Sequence, residues 1–354
     1  MTKGLSSNLD LLRAIAVLLV LAQHLFYKLP AGWLPWIAGR SPGLFGVLLF
    51  FVHTSLVLMF SMQRSGLRGA PLLKNFYTRR IFRVYPLALV AVISVLALRL
   101  NSDVNGVPGL SHDPTTPTAR TIVAHVLLIQ NIAEVKSNPN VLWSLPFEVQ
   151  MYVVLPSLFL WVSGRPRFRP LAAVWCLSVL AGWAQPQIPG PLQPYGIQLF
   201  SILIYVPCFL SGVIAFTLLP RRPVLKSWMW PAFILSLLFI YSARPGLPVA
   251  WLLCLVLGLM IPMFEEIKSN WLRIASHEIA KYSYGIYLTH PFCLWFALVV
   301  LAAAAPWMKA VVMIASLVIL PVIAYHCIEK PLIIMGQRLA SRWTEDPKLK
   351  AVAA

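Results

Sequence analysis

Apolar stretches long enough to cross a lipid bilayer recur along the whole chain, and this feature limits the fold more than any other. Each holds roughly 17 to 25 residues, enough to cross a hydrocarbon layer of about 30 Å at 1.5 Å per helical residue. With 59% hydrophobic residues, 11% charged residues and a mean hydropathy of +0.77, the chain is too apolar for a water-soluble domain. We therefore predict an all-α polytopic membrane protein of about ten transmembrane helices, at 9–27, 44–62, 84–100, 141–163, 171–185, 197–219, 227–243, 247–264, 282–304 and 307–328.

The basic residues are unevenly divided between the two sides of this arrangement. The formal net charge is +18, which in a soluble protein would suggest a nucleic-acid partner. With ten spans, however, all but seven of the 29 Lys and Arg residues fall on the side of the N-terminus; the seven are Lys28, Arg40, Arg99, Arg120, Lys136, Arg244 and Lys309. This asymmetry predicts cytoplasmic N- and C-termini and contact with membrane lipids rather than nucleic acid. The expected location is a bacterial inner (plasma) membrane.

The chain is predicted to be one membrane-embedded domain, 1–330, followed by a short basic cytoplasmic tail, 331–354. The apolar segment 121–132 is too short to span, so we interpret it as an interfacial or re-entrant piece. All five cysteines lie inside predicted spans without metal-ligand spacing, and we predict neither disulfides nor a metal site.

Ionisable residues inside the spans are the candidates for function, because charge is costly in hydrocarbon. In the first helix, Arg13 and His24 are eleven residues apart, which places them on one face about 16 Å apart. Asp10 lies one turn from Arg13 and forms the charged pair expected at the inner end of this polar face.

A second polar face follows Trp143 at the start of the fourth span, where Ser144, Glu148 and Tyr152 are spaced i, i+4 and i+8. Glu148 and His24 are expected at similar depths. A carboxylate beside an imidazole is a recurrent general-base arrangement. The alternative is that the two side chains only hold helices together or reach towards the outer surface.

Three other polar groups have competing interpretations. Ser283, Tyr287 and His290 share one face of the ninth span, where packing and substrate contact are equally compatible with the pattern. His53 is a lone imidazole among apolar residues, which we interpret as structural. Glu329 is adjacent to Lys330, and a local salt bridge between them is the ordinary expectation.

The inner loop before the third span carries Tyr77, Arg79, Arg80 and Arg83. Guanidinium groups at a membrane face can hold phosphates through paired hydrogen bonds. The alternative is that the cluster fixes topology and binds anionic lipids.

Five segments together resemble the membrane-bound acyltransferase family 3, whose members acylate hydroxyl groups of sugars, glycolipids, peptidoglycan precursors or antibiotics. They span nearly the whole chain and follow the family's order. The segments are 9–24 (LDLLRAIAVLLVLAQH), 76–86 (FYTRRIFRVYP), 143–152 (WSLPFEVQMY), 282–291 (YSYGIYLTHP) and 328–331 (IEKP).

The resemblance implies roles for these residues. It implies that His24 is the catalytic base, with Arg13 as its partner and Glu148 as the carboxylate that orients it. It implies that Tyr77 and the inner arginines bind an acyl-CoA donor. The supporting or substrate-contacting residues would be Asp10, Trp143, Ser144, Tyr152, Ser283, Tyr287 and His290. A cytoplasmic donor must then reach a histidine in the outer half of the bilayer, which requires a pore or tilted helices.

One departure from the family pattern lies in the second span. After Phe50, Phe51 and Val52 the family usually has Ser-Gly, whereas this chain has His53, Thr54 and Ser55. The missing glycine affects the fit of any ligand or neighbouring helix at this position.

The predicted function is an integral membrane O-acyltransferase that moves an acyl group, expected to be acetyl, from cytoplasmic acyl-CoA to a carbohydrate or glycolipid hydroxyl. The expected role is polysaccharide modification in the cell envelope. Acyl-CoA is a substrate, no cofactor is permanently bound, and a homodimer is compatible with the resemblance. A hydroxylated antibiotic or other small molecule is the alternative acceptor. The competing functions are a proton-coupled transporter or flippase, and a non-enzymatic scaffold.

Overall fold

The computed structural model describes residues 6–26, 42–104, 107–112, 116–164, 168–185, 201–218 and 223–343. These residues form helices throughout, apart from one two-stranded hairpin. The helices are α1 Ser7–Phe26, α2 Pro42–Ser65, α3 Gly69–Ala97, α4 Ala119–Leu127, α5 Leu145–Ser163, α6 Phe168–Ala184, α7 Val206–Leu218, α8 Met229–Ala243, α9 Leu247–Met260, α10 Asn270–Trp295, α11 Pro306–Ala324 and α12 Lys330–Ser341.

The helical membrane architecture predicted from hydropathy is confirmed. Within the described ranges, six helical segments are long and apolar enough to cross a bilayer: 7–26, 42–65, 69–97, 140–163, 270–300 and 306–341. Four shorter apolar helices, of 10 to 17 residues, coincide with the remaining predicted spans. The chain is an integral membrane protein, while the number of ten crossings and the orientation of the termini stay predictions.

The segment between α3 and α5 contains structure that the sequence pattern did not predict. Strand β1, Leu100–Val104, pairs antiparallel with β2, Val107–His112. Helix α4 follows, and its nine residues are about 13 Å long, too short to cross a bilayer. The interfacial interpretation of 121–132 agrees with this length and stays a prediction.

Helix α2 is the centre of the bundle. In the most apolar stretch of α2, 72% of the residues are buried. In the most apolar stretch of the segment 306–341, which contains α11 and α12, only 11% are buried, and this stretch faces outward. Helix α1 packs most extensively against α2 and α10, and α2 packs against α7. The rings of Phe51 and Phe209 stack across this last contact with centroids 4.3 Å apart. Helix α1 is thereby held between α2 and α10.

The glycine missing from the second span is compensated on the opposite helix. A Cβ atom at Gly212 of α7 would collide with the Val52 carbonyl and the Ser55 hydroxyl of α2. The Ser55 hydroxyl is fully buried there and donates to the Phe209 carbonyl, 2.7 Å away. Ser55 thus faces α7, and the departure from the family pattern is absorbed by helix packing.

The first turn of α1 is fastened to the segment before α10. The Ser7 hydroxyl and the Asn8 backbone N–H donate to one oxygen of Glu266, at 2.8 and 3.1 Å. Trp230 donates its indole N–H to the Asn8 carbonyl at 3.0 Å. A carboxylate is favourable at a helix N-terminus, where unpaired N–H groups carry partial positive charge.

Helix α12 lies in the part of the chain predicted as a basic tail, and it packs along α3. The Asn75 side chain donates to the Ala340 carbonyl at 3.2 Å, and Gly336 lies against Phe82. The beginning of α3, the end of α11 and α12 are therefore together at one end of the bundle.

Candidate active site

A polar cavity lies between α1, α2, α3, α5 and α10, with a volume of about 100 Å³. We call it the central cavity. Its polar lining residues come from all five helices, which explains why no single segment of the sequence revealed it. They are Arg13, His53, Thr54, Arg80, Arg83, Ser144, Glu148, Tyr152, Ser283, Tyr284 and Tyr287.

Arg13 enters the cavity from α1 and binds α10. Its Nε donates to the Ser283 hydroxyl at 2.6 Å, and that hydroxyl donates to the Ala280 carbonyl at 2.7 Å. Asp10 was expected to pair with Arg13, but its hydrogen-bonded partner is the ring of His277, 2.9 Å away. Helix α10 lies against this face of α1 and supplies a hydrogen-bonding partner to each side chain, while the charge of Asp10 still acts on Arg13.

The predicted polar face of α5 points into the central cavity. Glu148 accepts a hydrogen bond from the Tyr152 hydroxyl at 2.9 Å and a longer one from Thr54 at 3.4 Å. Arg13 and Arg80 are the cations whose charges act on this carboxylate. Glu148 therefore offsets positive charge in a cavity that holds an excess of guanidinium groups.

Ser144 and Tyr287 join α5 to α10 one turn from Glu148. The Tyr287 hydroxyl donates to the Val141 carbonyl at 2.6 Å. Because a phenol has one proton, the hydroxyl of Ser144, 2.7 Å away, must be the donor in their shared bond. Both side chains are buried and their hydrogen bonds hold the Tyr287 ring in a fixed position.

His24 lies beyond this point, beside a second histidine. The ring centroids of His24 and His290 are 4.8 Å apart in an edge-to-face arrangement. His290 is fully buried, and its ring centroid is 6.3 Å from that of Tyr287. His24 does not line the central cavity, so Tyr287 and His290 connect the two parts of the site.

Backbone carbonyls define which nitrogen of each histidine can act as a base. His24 Nδ1 is 2.9 Å from the Val20 carbonyl, and His290 Nδ1 is 3.0 Å from the Ile286 carbonyl. A carbonyl only accepts, so both Nδ1 atoms carry a proton, and in the neutral form of each ring Nε2 carries the lone pair. The Val20 carbonyl thus fixes the tautomer of His24, and the orientation of His24 by Glu148 stays a prediction.

The inner arginines do not form one cluster. Arg80 and Arg83 line the central cavity, whereas Arg79 lines a separate cavity beside Asn75 and α12. Arg83 also forms a 2.9 Å salt bridge with Glu329, whose side chain is 1% exposed. The expected local pair of Glu329 with its neighbour Lys330 is therefore wrong, since the carboxylate turns towards α3.

Two further predicted residues, Tyr77 and Trp143, also lie outside the cavity lining. Tyr77 packs its ring on Phe76, with centroids 5.4 Å apart. Trp143 packs against Phe147 and Tyr205, at 6.0 and 5.7 Å. Both aromatic rings support the walls of the site within the described structure.

The sequence interpretation missed His53 and Thr54 as site residues. Both line the central cavity, and Thr54 reaches Glu148. A signal was available in the sequence: Phe50, His53, Thr54 and Val57 follow the helical spacing i, i+3, i+4 and i+7. They therefore share one face of α2, on which polar and apolar residues lie together.

Comparison with known proteins gives one match. A family model described as an acyltransferase domain matches residues 6–326, which is nearly the whole chain. No curated protein and no solved structure matches. The matched range contains every residue of the central cavity as well as His24 and His290.

Proposed function

Since the chain belongs to the acyltransferase domain family and is an acyltransferase, we propose that it transfers an acetyl group from cytoplasmic acyl-CoA to a hydroxyl of a carbohydrate or glycolipid. The observation that carries this proposal is the polar path from Arg80 through the central cavity and Tyr287 to His290 and His24. A phosphate-bearing donor needs cations at one end of such a path and a base at the other.

The proposed topology has ten crossings, with both termini in the cytoplasm of a bacterial cell and the protein in its inner membrane. Two contacts support this orientation. Ser7 at the start of α1 is bonded to Glu266, just before α10, and Asn75 near the start of α3 is bonded to α12, so each pair of helix ends lies on one side of the membrane. This end of the bundle carries most of the basic residues, as expected for the cytoplasmic face.

We assign the donor's anionic part to the cavity end that holds Arg80 and Arg83. Arg83 is partly neutralised by Glu329, so Arg80 is the principal phosphate contact in this assignment. Arg13 lies about 16 Å from His24 along α1, which is too far for it to act at the thioester. We assign it the role of keeping the path of the anionic donor positively charged. In this proposal the central cavity forms the inner part of the pore that the depth of His24 requires, and the donor passes Tyr287 and His290 to reach His24.

In the proposed reaction, His24 Nε2 accepts the proton of the acceptor hydroxyl. The hydroxyl oxygen attacks the thioester carbonyl, the carbon–sulfur bond breaks, and His24 returns the proton to the departing thiolate of CoA. Transfer through an acyl-histidine is the alternative, and rapid quenching followed by mass spectrometry of the intact protein would reveal it.

A transporter or flippase is the competing function, because buried Arg, Glu and His residues also form proton relays. The test uses inverted membrane vesicles with and without the protein, supplied with acetyl-CoA labelled in its acetyl group. The proposal expects label in the glycan or glycolipid fraction only when the protein is present. Movement of a substrate without consumption of acetyl-CoA would favour transport instead.

A further inference from the structure

His53 was interpreted from the sequence as a structural histidine, but its surroundings point elsewhere. The side chain is 5% exposed and lines the central cavity together with Arg13 and Thr54. It lies in the middle of α2, the most buried long helix of the bundle. An imidazole in this position therefore faces the same space as the arginines assigned to the donor.

No hydrogen bond holds the ring of His53 within the described part of the chain. Buried polar side chains are almost always hydrogen-bonded, and leaving one without a partner costs stability that a leucine in its place would not. Other buried histidines here have partners: His125, for example, bonds through both ring nitrogens. The unused hydrogen-bonding capacity of His53 faces a cavity and is available to a ligand.

The face of α2 around His53 combines apolar and polar contacts. Val47, Phe50 and Val57 line the cavity on the same helix. The pantetheine arm of CoA alternates methylene segments with two amides, each with one donor and one acceptor. A neutral imidazole has one N–H donor and one lone-pair acceptor, so it can bind either group of an amide.

We propose that His53 binds the pantetheine arm of the acyl donor through a hydrogen bond to one of its amides. This rests on the proposed function, because it requires that CoA occupies the central cavity. His53 lines the same cavity as the arginines that would hold the phosphates, so an arm that starts at these arginines comes within its reach. Its role is to position the acyl donor, and it lies where this chain departs from the family pattern.

The test compares the binding of CoA with the binding of its adenosine bisphosphate fragment, which lacks the arm, to the purified full-length protein in detergent. We expect His53→Leu to weaken CoA binding about three- to tenfold, the value of one neutral hydrogen bond, and to leave the fragment's affinity unchanged. His53→Gln, which keeps a donor and an acceptor, should recover part of the loss. Met59→Leu, a similar-sized change at a buried position of the same helix, is the matched control.

The outcomes separate the two proposals. Equal CoA affinity in wild type and His53→Leu would overturn the role of His53 alone. An equal loss for CoA and for the fragment would overturn it too, since the effect would not come from the arm. If wild-type protein with a normal thermal melt binds neither ligand, the proposed donor itself is wrong.

Discussion

His24 and His290 lie edge to face, with ring centroids 4.8 Å apart, and each donates its Nδ1 proton to a backbone carbonyl one turn earlier in its helix. In each ring the Nε2 atom is then the one that can accept a proton. That of His290 is buried and has no hydrogen-bond partner within the described ranges. Neutral imidazoles in this arrangement can accept protons from a hydroxylated substrate, and a backbone carbonyl sets the tautomer of each ring.

Substitution of His290 should therefore slow acyl transfer more than it affects donor binding. His290→Phe keeps a ring against His24 but removes the Nε2 acceptor, and we expect turnover to fall about tenfold, as for one lost hydrogen bond. Steady-state rates with varied acetyl-CoA would measure this, and the Michaelis constant for the donor should stay the same. A variant as active as wild type would show that His290 only packs.

Arg83 and Glu329 should contribute to stability as a pair. Arg83→Met leaves the carboxylate of Glu329 buried without its cation, and loss of one partner of such a pair costs about 3 kcal/mol. The double variant Arg83→Met with Glu329→Met should regain most of the thermal stability, because it leaves no unpaired charge. Melting curves of the purified single and double variants would measure the coupling. Additive losses would indicate that the two residues act independently.

Gly212→Ala should destabilise the contact between α2 and α7. The added methyl group would meet the Val52 carbonyl, a backbone atom that cannot rotate away. We expect a loss of about 1 to 3 kcal/mol from overpacking, detected as a lower melting temperature. Gly164→Ala is the matched control, because a Cβ atom there meets nothing within 4 Å. Similar melts for the two variants would contradict the close approach of these helices.

The segment around α4 should loosen in acid because of His125. Its Nδ1 donates to the Thr121 carbonyl at 2.7 Å, and its Nε2 accepts the Asn138 backbone N–H at 2.8 Å. Burial lowers the pKa of His125 below its ordinary value of about 6.5, although the bond to Thr121 opposes the shift. The stabilisation is complete above that value and is lost as the pH falls towards the lowered pKa, because the unfolded segment takes up the proton first.

Hydrogen exchange of residues 119–138 at pH 7.5 and pH 5 would measure this effect. After correction for the slower intrinsic exchange of amides in acid, protection of this segment is expected to be lower at pH 5 than at pH 7.5 in wild type, and His125→Phe should abolish this difference in protection. A pH dependence that survives this substitution would have to come from another group.

The helices and much of the polar site could be predicted because they depend on spacing within one segment. The periodicity of Ser144, Glu148 and Tyr152 placed all three on one face, and the structure turns that face into the cavity. The hairpin β1–β2 was missed because its residues, such as Asn101 and Asp103, lack the alternation of a half-buried strand.

The pairings between helices could not be read from the sequence. Asp10 is bonded to His277 and Arg83 to Glu329, although 267 and 246 residues separate the partners in the sequence. No local pattern predicts contact at such a separation. The separation of Arg79 from Arg80 follows from helix geometry, since successive residues point about 100° apart, but only the position of α12 shows what each faces.

Acyl transfer by wild type and by His24→Asn, in the same vesicles with labelled acetyl-CoA, tests the central claim most directly. The account predicts that His24→Asn loses turnover by at least about a hundredfold, as for removal of a general base, while its thermal melt and CoA affinity match wild type. Undiminished transfer by a folded His24→Asn protein would contradict the account and indicate that another residue of the site is the base.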